Sequence, residues 1–311
     1  MFDFDMPPLD WRECDIPKQH KPWEKRHLTI PNDELKKQQV KVLHFLYTVK
    51  ELRPSGFAHG FVPHRNTSSG VDRHDRNADV IICTDFSDFF DNFPLDAVRK
   101  ALVDGGVGEI LADKIMTLCT YKGHLPQGGP CSPYLTNLGM VDVDRMIASY
   151  VKKYGFTYSR YADDMSFSQN FEATGKKPRK SYDFLPKGVE LITSTHLGLY
   201  LNHKKTHIIK MHGSTKPQIT GIVIRQDGLG YNAPRNLRRN IRAAAFNLMM
   251  DIRGNGGRVN DEMFSRWRKI CGYVRYFDNI RSHGEGEAAT ADPCIKAEIW
   301  DELTDAFARA V

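Results

Sequence analysis

The sequence predicts an α+β fold, because strand-like runs are interspersed with helical patterns up to about residue 230 and only helical patterns follow. A continuous apolar run over 80–85 and two runs rich in aromatic and hydroxyl residues over 156–168 have the composition of strands. After Asn232, apolar residues recur at helical spacing. The 311 residues, 41% of them hydrophobic, provide a sizeable core for two or three subdomains.

The overall composition is that of an ordinary globular protein, with 26% charged residues. A formal net charge of +6 is compatible with a polyanionic partner. The six cysteines include no Cys-x-x-Cys pair, which argues against a zinc site or a disulfide framework and fits a reducing compartment. No apolar run approaches the ~18 residues of a membrane span, and the N-terminus is unlike a signal peptide. We therefore expect a soluble, cytoplasmic protein.

The N-terminal segment over 1–31 contains five prolines and is expected to be irregular, with two strands joined by a basic loop in its second half. Asn32 or Asp33 then caps a helix that should end near 53–56. The stretch over 57–79 is rich in turn-forming and basic residues. Two interpretations of it stay open, a solvated loop and a strip that contacts phosphate.

The middle of the chain predicts a buried strand followed mainly by helices. In order, we expect a strand over 80–85, helices over 94–103 and 109–120, a glycine- and proline-rich loop over 125–133 and a helix over 133–153. The hairpin over 156–168 comes next. It precedes a basic insertion over 170–188, a helix over 189–197, strands over 206–211 and 218–225 and a tight turn over 227–230.

The C-terminal part predicts three helices, over 232–254, 261–280 and 293–310, with a domain boundary at about residue 230. The first of these helices is amphipathic. Its apolar side carries Leu237, Ile241, Ala244, Ala245, Leu248 and Ile252, and its opposite side carries Arg235, Arg239, Arg242 and Arg253.

Three aspartates are the main chemical signal of the sequence. Asp85 ends the apolar strand, and Asp163 and Asp164 lie in the turn between the two following strands. If these strands are neighbours in one antiparallel sheet, the three carboxylates converge at one edge. Such a site suits Mg²⁺, and two ions held there can activate an attacking hydroxyl and stabilise a leaving pyrophosphate. Taken alone, the aspartate pair is more typical of an ordinary acidic turn.

The order of several motifs resembles that of the reverse transcriptases, most closely the bacterial retron type. The motifs are Asp85 with its following aromatic residues, Leu-Pro-Gln-Gly-Gly-Pro-Cys-Ser-Pro over 125–133, Tyr-Ala-Asp-Asp over 161–164 and Leu-Asn-His-Lys-Lys-Thr over 201–206. Ile-Pro-Lys over 16–18, Ala-His-Gly-Phe over 58–61 and the stretch over 270–277 are similar to the family's first, second and thumb blocks. Of the retron motif Asn-Ala-x-x-His, only His74 is present. The likeness extends over about residues 11 to 280.

The resemblance implies a right-hand polymerase fold with fingers, an antiparallel-sheet palm and a helical thumb. The fingers are expected over 1–75 and 95–135, the palm over 76–94 and 136–230, and the thumb over 231–311. The resemblance further implies that Asp85, Asp163 and Asp164 bind two Mg²⁺ ions, together with the backbone carbonyl of Phe86.

The resemblance also implies a nucleotide site and a nucleic-acid-binding helix. Phe90 would exclude a ribose 2′-hydroxyl. The other residues expected at the nucleotide are Arg26, Asp88, Phe89, Gln127, Gly128 and Lys205. The four arginines of the 232–254 helix would contact the phosphates of an RNA-containing duplex. Simpler alternatives stay open: core packing for the phenylalanines, a solvated charge for Lys205, and an exposed basic face kept for solubility in the helix.

The function implied by the resemblance is that of an RNA-directed DNA polymerase, a nucleotidyltransferase. It would use deoxynucleoside triphosphates to copy a structured RNA, a retron non-coding RNA, into single-stranded DNA in anti-phage defence, with an effector protein as a further partner. The alternatives are another defence-associated or group II intron-like reverse transcriptase, an RNA-dependent RNA polymerase, and a catalytically idle RNA-binding scaffold. The three carboxylates argue against the scaffold, and Phe90 argues against the RNA polymerase.

Overall fold

The computed structural model describes residues 4–18, 21–210, 217–225, 231–284 and 295–310. The chain divides into two compact units, Met1–Ile209 and Lys210–Val311. Each unit contains helices and antiparallel strand pairs, which confirms the predicted α+β class. Among the described helices, none is both long enough and apolar enough to cross a membrane.

A long antiparallel hairpin, formed by β1 (Trp11–Lys18) and β2 (Lys21–Pro31), opens the first unit. The two predicted strands are confirmed, but the segment is less irregular than expected, because most of the predicted basic loop belongs to β2. The Thr29 backbone N–H donates a hydrogen bond to the Gln127 carbonyl over 2.9 Å. This bond attaches the hairpin to the glycine-rich loop.

Helix α1 (Asp33–Thr48) begins where it was predicted, because the Asn32 side chain accepts a hydrogen bond from the Leu35 N–H over 2.8 Å. It ends before the predicted stop at 53–56. The chain turns inward there: the Leu52 side chain is buried, and its carbonyl accepts a hydrogen bond from the Tyr134 hydroxyl.

The first unit is centred on a four-stranded sheet with the strand order β4-β5-β3-β6. Its strands are β3 (Val80–Asp85), β4 (Thr157–Tyr161), β5 (Asp164–Gln169) and β6 (His207–Lys210). Both β3 and β4 pair antiparallel with β5. This confirms the predicted hairpin over 156–168 and the position of the 80–85 strand beside it. The side chains of β3 are buried on both faces, as its apolar run indicated.

Helices surround this sheet. They are α2 (Thr67–Val71), α3 (Phe89–Asn92), α4 (Leu95–Asp104), α5 (Glu109–Cys119), α6 (Ser132–Gly139), α7 (Val141–Lys152), α8 (Phe171–Thr174) and α9 (Phe184–Leu197). The single helix predicted over 133–153 was wrong, since α6 and α7 are separated at Met140. Gly139 is a weak helix former, and a Cβ there would lie 2.7 Å from the Phe93 ring, so the glycine lets this ring pack at the break. Helix α9 begins earlier than predicted because Pro186 is tolerated in a first turn.

The second unit contains a small sheet and three helices. Its elements are β7 (Gln218–Ile219), β8 (Ile222–Ile224), β9 (Tyr231–Asn232), α10 (Arg235–Gly254), α11 (Asp261–Gly284) and α12 (Ala297–Ala308). The single strand predicted over 218–225 is a hairpin, because Thr220 and Gly221 adopt positive φ angles of +44° and +81°. The tight turn predicted over 227–230 lies outside the described residues.

The amphipathic character of α10 is confirmed. Ile241, Ala245, Leu248 and Ile252 are buried, whereas all four arginines named above are exposed. Aromatic rings join the other two helices of this unit: Trp267 of α11 stacks on Phe307 of α12 with the ring centroids 5.2 Å apart.

Candidate active site

The three aspartates meet where the two inner strands of the central sheet, β3 and β5, end and begin. Asp85, the last residue of β3, pairs directly with Asp164, the first residue of β5, and Asp163 precedes it in the turn. Asp85 is 2% exposed, Asp163 is half-buried and Asp164 is exposed. The convergence expected from the two strand ends is therefore observed.

The turn that carries Asp163 has an unusual backbone. Ala162 adopts a left-handed φ of +55°, which is unfavourable for a residue with a Cβ. Two contacts hold it: the Arg160 guanidinium donates to the Ala162 carbonyl over 2.8 Å, and Gly60 packs so closely that a Cβ there would lie 2.8 Å from the Ala162 nitrogen. The turn is thus positioned by residues of the core and of a separate loop.

Arg160 belongs to a fully buried polar network beneath the site. Its guanidinium makes two hydrogen bonds to Asp144 of α7, and Asp144 also accepts from the Tyr158 hydroxyl over 2.8 Å. Burial opposes the charge of Arg160, but Asp144 more than offsets this effect, so that the pKa of Arg160 is raised. This pair was not predicted from the sequence; its signal was a charged residue within the strand-like run of β4.

Desolvation and mutual repulsion both oppose ionisation of the two aspartates in the turn region. Although Asp164 retains contact with solvent, desolvation by the surrounding protein, followed by the charges of Asp163 and Asp85, raises its pKa to about 6. The pKa of Asp163 is raised mainly by desolvation, with Asp85 as a further cause. Lys205 acts in the opposite direction on both groups.

Lys205 supplies the cation nearest to the buried aspartate. Its ammonium group forms an ion pair with Oδ2 of Asp85, whereas Oδ1 of Asp85 is buried without a hydrogen-bond partner. Burial lowers the pKa of Lys205, but the hydrogen bond and charge of Asp85 outweigh burial and raise it. Within the described part of the chain, no three His, Cys, Asp or Glu side chains already form a closed metal-ligand group. The donor chemistry nevertheless fits a hard divalent cation, because the oxygens are carboxylates and one is unsatisfied.

A cavity of about 600 Å³ opens above the aspartates. Most of the predicted nucleotide and metal residues line it: Arg26, Phe86, Asp88, Phe89, Phe90, Gln127, Asp163, Asp164 and Lys205. Asp85 lies behind this lining. Gly128 is also outside it, since its φ of +124° and close approach to the Thr29 carbonyl place it against β2.

The phenylalanines after Asp85 differ in their surroundings. Phe89 is 2% exposed, and its ring contacts Phe86, Phe90 and Phe93 at centroid distances of 5.1, 5.4 and 5.3 Å. Its ring is therefore part of the core. Phe90 is only half-buried and lines the cavity, where a gate residue would have to lie.

Several residues of the cavity wall were not predicted. They include Lys25, His27, Phe61, His124, Tyr161 and Asn202. Lys25 and His27 flank Arg26 on β2, and Phe61 belongs to the family's second block. These three residues could therefore have been predicted from the motifs in which or beside which they lie. His124 carried no such signal.

Two arginines of the basic stretch over 57–79 bind backbone carbonyls of the protein itself, so this stretch is more than a solvated loop. Arg65 donates to the carbonyls of Ser55 and Ala58, both over 2.6 Å. Arg73 donates to the carbonyls of Tyr158 and Gly56 over 3.2 and 3.1 Å. These bonds brace the loop that packs against the aspartate turn.

The arginines of α10 belong to the second unit. Arg235, Arg239 and Arg242 are exposed on one side of the helix. Arg253 forms a two-pronged ion pair with Glu302 of α12, with Nε to Oε1 at 2.6 Å. Its guanidinium is therefore already engaged within the protein.

Comparison with known proteins identifies the family. Residues 16–224 match the family model "Reverse transcriptase (RNA-dependent DNA polymerase)". The chain is 31% identical to the retron Mx162 reverse transcriptase of Myxococcus xanthus, over 77% of this chain and 52% of that protein. It is 35% identical to the retron Ec86 reverse transcriptase of Escherichia coli, over 67% of this chain and 61% of that protein.

The chain therefore spans about half to three fifths of the length of these two relatives. Among solved structures, apo telomerase from Candida tropicalis aligns with a TM-score of 0.46 and 13% identity, over 99% of this chain and 64% of that one. Because the family model covers most of the chain, the right-hand polymerase fold expected from the resemblance is confirmed together with the family. The chain belongs to the reverse transcriptase family and is of the retron type.

Proposed function

We propose that this chain is an RNA-directed DNA polymerase, which adds deoxynucleotides to a primer hydroxyl opposite an RNA template and releases pyrophosphate. The observation that carries the proposal is the direct pairing of Asp85 with Asp164, beside Asp163, at the base of a cavity of about 600 Å³. The same cavity is lined by Lys25, Arg26 and Lys205, whose positive charges suit a triphosphate.

Asp85, Asp163 and Asp164 are the residues that would hold two Mg²⁺ ions, with the Phe86 carbonyl as a further ligand. Reverse transcriptases use divalent metal ions in catalysis. Bound Mg²⁺ would make the attacking hydroxyl a better nucleophile and neutralise charge on the leaving pyrophosphate. Two observations support this assignment: Oδ1 of Asp85 is buried without a hydrogen-bond partner, and desolvation, with the charges of neighbouring aspartates as a further cause, raises the pKa values of the other two carboxyls. A bound cation would satisfy that oxygen and favour the ionised form of both carboxyls.

The protein's own side chains would orient the nucleotide. Arg26 binds the triphosphate, and Lys205 brings positive charge to the leaving phosphates. Phe90 lies against the sugar and excludes a 2′-hydroxyl by its volume. Gln127 lines the base pocket, and Gly128 keeps the loop backbone close to β2. Asp88 and Phe89 contribute their backbone along the triphosphate, which agrees with the core position of the Phe89 ring.

The remaining assignments are those that the resemblance to the retron reverse transcriptases implies. We propose fingers over 1–75 and 95–135, a palm over 76–94 and 136–230 and a thumb over 231–311. The template is a structured RNA of the retron non-coding kind, copied into single-stranded DNA. The duplex is held by Arg235, Arg239 and Arg242. Anti-phage defence in the cytoplasm, together with an effector protein, is the corresponding biological role.

The test is primer extension by the purified protein on a primed RNA template with Mg²⁺ and the four deoxynucleoside triphosphates. We expect a DNA product that requires the template and the divalent ion. RNA binding without any product from the wild-type protein would favour the idle scaffold and overturn the proposal. A product formed equally well from ribonucleotides would favour the RNA polymerase instead.

A further inference from the structure

Phe61 is a large aromatic side chain in the wall of the active-site cavity, and none of the roles assigned above uses it. Its side chain is 53% exposed. It lines the same cavity as Asp163 and Asp164. A single exposed aromatic residue is not unusual by itself, but Phe61 is distinguished by the way in which its backbone is held.

The backbone of Phe61 is strained. Its φ of +57° lies in the left-handed region, where a bulky residue is an outlier. Strained conformations of this kind persist where the surrounding structure enforces them, and they concentrate at functional sites. A glycine here would adopt the same backbone without strain. The ring is therefore held at this position against a local preference.

The loop before Phe61 is attached to the aspartate turn. The His59 N–H donates to the Arg160 carbonyl over 2.8 Å, and the Asn137 side chain donates to the Gly60 carbonyl over 2.8 Å. Gly60 is in close contact with Ala162, as described above. The loop that carries Phe61 is therefore in direct contact with the turn that carries Asp163.

The ring of Phe61 is only partly covered by protein. Its neighbour is Tyr161, with the centroids 6.1 Å apart and the ring planes inclined by 45°. A neighbour in this tilted arrangement does not cover a face of the ring as a parallel stack would. The phosphate-binding charges of the cavity come from other segments, at Lys25, Arg26 and Lys205. An apolar π-face of Phe61 therefore remains available in the cavity, and Phe61 has no role in binding the phosphates.

We propose that Phe61 stacks on a nucleobase in this cavity and so positions the nascent base pair; the inference rests on the polymerase function proposed above. Every base presents a π-face, so this contact is independent of sequence. The base belongs either to the template or to the incoming nucleotide. Both sources share the same chemistry, and the experiment separates them.

The test compares wild type with Phe61→Ala, which removes the ring, and Phe61→Tyr, which keeps it. Ile110→Ala is the matched control, because Ile110 is 89% exposed on α5 and lies outside the cavity. Single-turnover incorporation at subsaturating substrate should fall about 5- to 100-fold in Phe61→Ala. Phe61→Tyr and Ile110→Ala should stay within about twofold of wild type. An unchanged rate in Phe61→Ala would overturn the inference.

A second measurement identifies the base. Binding of primed RNA is measured with an intact and with an abasic templating position. If Phe61 stacks on the templating base, Phe61→Ala weakens binding of the intact RNA, and the difference between variant and wild type disappears on the abasic RNA. If it stacks on the incoming base, binding of both RNAs is unchanged and the KM for the deoxynucleotide rises instead. The absence of both effects would contradict the inference.

Phe61→Gly separates a functional ring from a structural one. It removes the ring and relieves the positive φ, so its thermal unfolding should occur at or above the wild-type temperature while incorporation falls as in Phe61→Ala. Wild-type incorporation retained in Phe61→Gly would overturn the inference. Failure of the proposed function would look different, because the wild-type protein itself would then form no product.

Discussion

Asp85 and Asp164 stand directly opposite each other on the antiparallel strands β3 and β5. Like charges in directly opposed positions destabilise a sheet. Lys205 contacts only one oxygen of Asp85, and the pKa of Asp164 remains raised to about 6. The arrangement is thus unfavourable for folding alone, and a bound cation would remove the repulsion.

Neutralising either turn aspartate should abolish DNA synthesis without unfolding the protein. Asp163→Asn or Asp164→Asn removes the charge that would hold Mg²⁺ but changes almost no volume. We expect at least a ~100-fold loss in primer extension. RNA binding should be nearly intact, and the melting temperature should not fall, because a like-charge repulsion of up to about 1 kcal/mol is relieved. Full activity in both variants would exclude these residues as metal ligands.

Phe90→Ala should relax the choice of sugar. Phe90 is half-buried and lines the cavity, so removal of its ring leaves room for a 2′-hydroxyl. The ratio of ribonucleotide to deoxynucleotide incorporation should increase, measured as the two kcat/KM values on one template. Phe93→Leu is the matched control, because Phe93 is a core residue 2% exposed. A ratio equal to that of wild type would mean that Phe90 only packs and that another residue excludes the ribose.

The arginines of α10 should bind nucleic acid through phosphates. Removing one arginine that binds a phosphate reduces the log–log salt dependence of binding by about one unit. Arg239→Gln combined with Arg242→Gln should therefore weaken binding of cognate and unrelated structured RNA alike, most visibly at low salt. A loss restricted to one RNA would instead indicate recognition of sequence or shape.

Arg253→Gln is the internal control for that experiment. Arg253 is exposed on the same helix, but its guanidinium is already bound to Glu302. Its replacement should change the salt dependence little. Filter binding across a salt series measures the salt dependence of both variants. An unchanged slope in the Arg239 and Arg242 double variant would mean that this face of α10 serves only solubility.

His74 should make the protein sensitive to acid. It is 3% exposed and bridges Ser159 of β4 and Ser168 of β5, with both ring nitrogens 2.7 Å from a hydroxyl. Burial, followed by the charge of Arg73, lowers its pKa from 6.5 to about 3. The native state therefore holds a neutral imidazole, whereas the unfolded chain takes up a proton below pH ~6.5.

The sign of the effect follows from this lowered pKa. The contribution of His74 to the free energy of unfolding is fully present above pH ~6.5 and is lost as the pH falls through 3, by about 5 kcal/mol in all. Denaturant unfolding between pH 7 and 4 should show the loss, and His74→Gln should flatten it. His44→Gln, at an exposed histidine, should not. Identical pH profiles for wild type and His74→Gln would contradict the assignment.

The sequence by itself determined the elements that depend on local pattern. The apolar run into Asp85, the hairpin around Asp163 and Asp164 and the amphipathic helix α10 were all predicted, because period and composition reflect burial of one face or both. The family followed from the order of its motifs. The break at Met140 was missed, since it depends on Phe93, which is distant in sequence and packs against Gly139.

Only the tertiary structure decided what surrounds the aspartates. The register of Asp85 against Asp164, the buried Arg160–Asp144 pair and the attachment of Gly60 to Ala162 join residues far apart in the chain. No local pattern carries such information, because each partner alone is compatible with many positions. The left-handed backbone of Phe61 was likewise not predictable from the local sequence. Its local preference opposes that conformation, and contacts made elsewhere in the fold impose it.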